Sequence, residues 1–212
     1  MLPNIIFKRH SFLCRSFLGG TVGQGSYEGL FAGWIVEDSR QEAEQDIGSQ
    51  LSKNRIDVQG VFLTHIHGDH TAGIPALPRN TPIIVGAGES LHHYPVMMYN
   101  DHFNETEVLH ELDFDKGFTM PPFDKVLDVF GDQSLLAIAT PGHTSGHVSF
   151  LVHAADGWVL LTGDASHTRW GFEHDVIPGW AEDADAAKKS LSALRQFSQA
   201  NSDVKVVYGH ER

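Results

Sequence analysis

The stretch Thr64-His65-Ile66-His67-Gly68-Asp69-His70 constrains this chain more than any other. It follows the apolar run Gly60-Val61-Phe62-Leu63 directly, so a short buried strand stops at a cluster of imidazoles and a carboxylate. Four metal-competent side chains fall in six positions, which neither core packing nor solvation explains. His65 and His67 are two residues apart and point the same way on an extended segment. Asp69 and His70 fall on the turn after it. One cation could take the first pair and a second cation the other, each with donors from elsewhere, since such sites need four or more ligands.

Three remote segments offer those donors. Pro141-Gly142-His143-Thr144-Ser145-Gly146-His147 sets a histidine in a glycine-rich turn, Thr162-Gly163-Asp164 follows the run Trp158–Leu161, and Gly209-His210 follows Val204–Tyr208. Each comes just after an expected strand, so an open sheet can gather them at the carboxyl ends of its strands. Further strands are expected at 4–18, 30–36, 57–63, 82–85, 125–130, 134–140, 147–153, 158–162 and 204–208. Ala155-Asp156-Gly157 is a hairpin signal. Helices are expected over 41–53, with Ser39 as cap, then over 68–77, 89–99 and 182–200. In the last of these, Ala187, Leu191, Leu194 and Phe197 form an apolar stripe.

The 212 residues suit one domain, 1–212. The formal charge of -12, from 27 acidic and 15 basic residues, argues against nucleic acid or an anionic membrane surface as partner. Two divalent cations would offset part of it. Cys14 is the single cysteine, so no intrachain disulfide forms. No run reaches the ~18–20 apolar residues of a membrane span, and residues 1–20 lack the continuous apolar stretch of a secretory signal. The expected location is therefore the cytoplasm. Nothing in the sequence sets the oligomeric state.

Taken together, His65-Ile66-His67-Gly68-Asp69-His70, Gly142-His143, Asp164 and Gly209-His210 resemble the metallo-β-lactamase superfamily, marked by His-x-His-x-Asp-His, a later Gly-His, a bridging Asp and a final His. The resemblance implies an αββα sandwich of α+β class, with two mixed sheets face to face and helices outside. It implies that His65, His67 and His143 hold a first metal, that Asp69, His70 and His210 hold a second, and that Asp164 bridges. The donor set, without Cys, suits two Zn²⁺, and iron or manganese accept the same ligands. A hydroxide shared by the metals would attack a carbonyl or phosphoryl, with Asp69 orienting it and moving its proton. Asp38-Ser39-Arg40 resembles the family's upstream Asp-Thr-Gly, with Arg40 where Gly is usual.

Gly163-Asp164-Ala165-Ser166-His167-Thr168 is similar to the Asp-Ala-Ser-Tyr-Thr pattern of N-acyl-homoserine lactone lactonases. His167 stands where their tyrosine donates to the substrate carbonyl, and it is expected to take that catalytic role. Thr140–Ser149 also resembles glyoxalase II-like thioester hydrolases, but only two residues follow His210, which sets the expectation away from a glutathione thioester. The expected function is hydrolysis of a small ester, lactone or thioester. The alternatives are an iron-dependent thiol or persulfide oxidoreductase and a phosphodiesterase or nuclease-type hydrolase. Aromatic and Met residues in 92–103 and 118–123, with Trp170, Phe172 and Trp180, suggest a substrate with an apolar part. His92, His93, His102, His110, His153 and His174 read as structural or exposed, and His147 as a support for its turn.

Overall fold

The structure is a computed structural model that describes residue 44, residues 46–89 and residues 109–211. The expected strands at 4–18 and 30–36, Asp38 and the Ser39 cap, and the helix after Glu89 lie outside the described residues. Two sheets with helices make the chain α+β. It divides into two compact units, residues 1–84 with 91–110 and residues 85–90 with 111–212.

The first unit begins its described part with helix α1, Ile47–Lys53. This helix is shorter than the expected 41–53 because Asp46 caps it, its side chain accepting the Ser49 N–H at 2.8 Å. Strand β1, Val61–Phe62, is also short, and it pairs in parallel with β2, Ile83–Val85. The three-stranded sheet runs β1-β2-β3, with β3 at Leu109–Glu111. The single helix expected over 68–77 is instead two pieces, α2 at Gly68–Thr71 and a 3-10 turn at Ile74–Ala76. Pro75 has no N–H to continue an α-helical ladder, so the helix stops before it.

The second unit is built on a six-stranded sheet of order β4-β5-β6-β7-β8-β9. Its strands are Phe118–Met120, Phe123–Asp128, Leu135–Ala139, Val148–Ala154, Gly157–Leu161 and Lys205–Val207. The central strands β6 and β7 are apolar and buried along most of their length, as strands covered on both faces should be. The hairpin at Ala155-Asp156 forms as expected, with Ala154 opposite Gly157. Neither β4 nor helix α3, Arg169–His174, was expected from the sequence. Helix α4, Ala184–Ala200, buries Ala187, Leu191, Leu194 and Phe197 on one face. Leu191, Leu194 and Phe197 join Val126, Ile138, Leu151 and Leu160 in the core of this unit.

Strand direction decides where the donors emerge. β7 is antiparallel to β6 and to β8, while β9 is parallel to β8. Strands β6, β8 and β9 therefore point the same way, and their exits lie along one edge of the sheet. Those exits lead to His143, Asp164 and His210.

Candidate metal centre

In the first unit, β1 hands the chain to a donor cluster that its own fold holds tightly. The Leu63 N–H donates to the Ile84 carbonyl at 2.9 Å, and Leu63 and Ile66 are buried. His65, His67 and His70 are each less than a tenth exposed. The His65 ring lies 4.4 Å from that of His67 and 4.1 Å from that of His70, centroid to centroid. Thr64 Oγ1 sits 3.0 Å from His65 Nδ1, so the hydroxyl engages the nitrogen on one side of that ring. His67 occupies the N-cap position of α2 with an extended backbone, and its side chain makes no capping bond. The Thr71 hydroxyl donates back to the His67 carbonyl at 3.2 Å. His70 Nε2 lies 3.6 Å from Asp69 Oδ2, so these two neighbours in sequence are also neighbours in space.

The second unit builds its cluster from three strand exits around one carboxylate. Asp164 Oδ2 lies 3.1 Å from His167 Nε2, 3.1 Å from His210 Nε2 and 3.4 Å from His143 Nε2. Asp164 is only 2% exposed, so its charge needs compensation from close by. Its position is fixed through its backbone. The Asp164 N–H donates to His147 Nε2 at 3.0 Å, and His147 Nδ1 meets Thr140 Oγ1 at 2.9 Å. Thr140 Oγ1 in turn meets Ser149 Oγ at 2.9 Å, and the Ser149 hydroxyl donates to the Thr162 carbonyl at 2.9 Å. A single direction satisfies the whole run. With Ser149 donating to a carbonyl, Thr140 donates to Ser149, and a neutral His147 carries its proton on Nδ1. His147 thus supports the backbone of the site from behind.

His143 is held from outside as well. Its Nδ1 lies 3.2 Å from the Trp180 carbonyl, which can only accept, so Nδ1 carries a proton and Nε2 is left to face Asp164. The segment leading into α4 clamps the turn. The Glu182 and Asp183 N–H groups donate to the His143 and Gly142 carbonyls, and the Glu182 carboxylate accepts the Ser145 N–H. Gly142 has φ +134°, and a Cβ there would strike the backbone of Ala187. Gly209 is required for a different reason, since a Cβ would strike the Asp164 carboxylate and the Gly163 carbonyl. The N–H groups of Gly209 and His210 pair with the carbonyls of Ser166 and His167, each at 2.9 Å, which sets the His167 and His210 rings 4.4 Å apart.

Each cluster suits a divalent cation by donor type: imidazole nitrogen and carboxylate oxygen, closely spaced and largely buried. In the second unit the donor atoms of His143, Asp164 and His167 all lie within 4.8 Å of one another. The Trp180 carbonyl and the Glu182 clamp carried no sequence signal, because backbone groups and capping turns have none. His110, His153 and His174 are exposed, with His153 stacked on Trp158 and His174 on Trp170.

The profile of the Metallo-beta-lactamase superfamily matches residues 33–210. The chain belongs to the metallo-β-lactamase superfamily. Within that superfamily it is 33% identical over 184 residues to the N-acyl homoserine lactonase AttM of Agrobacterium fabrum, covering 84% of this chain and 67% of that protein. It is 36% identical over 155 residues to the gamma-lactamase MBL2 of Gibberella moniliformis, covering 66% of this chain and 64% of the relative. A solved N-acyl homoserine lactone hydrolase, with the product N-hexanoyl-L-homoserine at its catalytic metal center, superposes with a TM-score of 0.61 at 28% identity. That match covers 81% of this chain and 64% of the solved one. The chain thus spans about two thirds of the length of these superfamily members.

Proposed function

We propose that this chain is a metal-dependent hydrolase that opens a small cyclic ester bearing an apolar acyl part. His65, His67 and His143 would hold one cation and Asp69, His70 and His210 another, with Asp164 common to both sets and zinc the metal that such donors suit. The observation that carries this reading is the cluster on Asp164 Oδ2, where three imidazole nitrogens lie at 3.1 to 3.4 Å. The lactonase and γ-lactamase relatives support the choice of a cyclic carbonyl substrate, and one family profile over 33–210 supports a single domain.

Bound divalent cations would supply Lewis acidity at the carbonyl and a water whose pKa falls to about 7. The chain's own residues do the rest. Asp69 orients the attacking water and takes its proton. His143, fixed by the Trp180 carbonyl, presents Nε2 in one tautomer only. His167 sits beside Asp164, where it can contact the substrate carbonyl. Trp180 is 40% exposed and packs edge-on against His143 at 5.5 Å, a wall for the apolar part of the substrate.

The test is Asp164→Ala measured with acyl lactones, a cyclic amide, thioesters and aryl phosphoesters, alongside metal analysis. The wild type should carry about two zinc per chain, hydrolyse lactones best and lose activity to a chelator. One iron per chain with oxygen consumption would support an oxidoreductase instead. Unchanged turnover in Asp164→Ala would overturn the mechanism.

A further inference from the structure

We infer that His167 is a metal donor: with His143 Nε2 and Asp164 Oδ2, its Nε2 forms a three-donor face for a divalent cation within the second unit. The inference rests on the metal-dependent function proposed for this chain and goes beyond it, since there His167 serves only the substrate.

Metal bonds of about 2.0 to 2.2 Å place two ligand atoms about 2.8 to 3.6 Å apart, from right-angle to tetrahedral geometry. The separations from Asp164 Oδ2, 3.1 Å to His167 Nε2 and 3.4 Å to His143 Nε2, fall inside that span. Hydrogen bonding alone accounts for the cluster poorly. One carboxylate oxygen has two lone pairs, yet it faces three ring nitrogens, those of His143, His167 and His210. Moreover His143 Nδ1 donates to the Trp180 carbonyl, which leaves Nε2 as the ring atom turned toward the buried Asp164 carboxylate. A cation in contact with Asp164 and His143 would have His167 as a further nitrogen within 4.8 Å of both donor atoms.

The local fold favours the same placement. Asp164 lies on a 3-10 turn, Gly163–Ala165, that ends at Ser166 with an extended backbone. The His167 carbonyl is tied to the His210 N–H, which fixes the start of its side chain while leaving the ring about one third exposed. A donor on a partly exposed ring can be displaced. His167 would thus ligate in the resting protein and yield its position when a substrate carbonyl arrives. A tyrosine at this position would keep the substrate contact while removing the imidazole nitrogen.

The test uses the whole chain stripped by chelator and reloaded with Co²⁺. Wild type, His167→Ala and His167→Tyr are compared by chelator competition and by the hyperfine-shifted imidazole signals in NMR. The expected result is a Co²⁺ affinity about tenfold or more weaker in both variants, with one imidazole signal lost and the others retained. His167→Tyr should keep more lactone turnover than His167→Ala. If both variants match wild type in affinity and keep every imidazole signal while the wild type binds Co²⁺ and hydrolyses lactone, the inference fails and the function stands. If the wild type binds no Co²⁺, both fail.

Discussion

The two donor clusters reach the same chemistry by opposite routes. In the first unit, His65, His67, Asp69 and His70 are neighbours in sequence, and a two-residue strand with a one-turn helix suffices to aim them. In the second unit, His143, Asp164, His167 and His210 come from three strand exits and depend on the sheet, on the clamp before α4 and on the run of hydrogen bonds behind Asp164. A contiguous motif carries its geometry in its spacing. A dispersed one carries it in the fold, so damage far away should reach the second cluster sooner.

The largest effect should come from the donors themselves. Asp164→Ala removes the one atom that three imidazoles share and should cut kcat/KM by about 10³-fold, the upper range for losing one charge-stabilising group. His67→Ala leaves His65 and His70 in place, and its loss should be smaller. If the order were reversed in parallel kinetics, the contrast between the clusters would break. Next comes the core. Leu194 is fully buried under the second sheet, and Leu194→Ala should cost about 2 to 5 kcal/mol in urea unfolding. Hydrogen exchange at that variant should speed up at 163–167 before it does at 64–71.

A smaller effect is expected at Gly209, where alanine would push directly on the Asp164 carboxylate. Overpacking of this kind costs about 1 to 3 kcal/mol, and Gly209→Ala should weaken divalent-cation binding while lowering the melting temperature only slightly. The smallest effect belongs to the first unit. Ser49, first through its side chain and then through its backbone N–H, holds the Asp46 carboxyl below its ordinary pKa. A lowered folded pKa means the cap is at full strength above the unfolded value and is lost as the pH falls through the folded one. Asp46→Ala should therefore cost about 1 kcal/mol near neutrality. That cost should begin to shrink below about pH 4 and go on falling as the pH drops through the lowered folded pKa, in denaturant titrations at several pH values.

The same contrast explains what was legible in the sequence. The cluster at 65–70 could be read from spacing alone, because a strand and a turn dictate where adjacent side chains point. His143, Asp164 and His210 could be offered as donors from their places after expected strands, but only resemblance to a family divided them between two metals, since nothing local links residues so far apart. Apolar strands with a clear hairpin signal were readable, as was α4 from its stripe. Strand β4 and helix α3 were not, because three and six residues are too few to show a period. Pro75 gave its warning inside the expected helix at 68–77, and the structure follows the proline. The proximity of His167 to the donor set was invisible as well, because it depends on Gly209-His210 pairing with the backbone at 166–167.

Because β6, β8 and β9 all leave their sheet on one side, the other side carries connections, among them the Ala155-Asp156 turn and the loop between β5 and β6. That makes the second unit two-faced in an engineering sense. A peptide tag, a fluorophore or new chain ends placed at the Ala155-Asp156 turn would sit a full strand length from Asp164. The protein thus offers a ready attachment point from which its chemistry could be tethered, reported on or rewired without rebuilding the side that performs it.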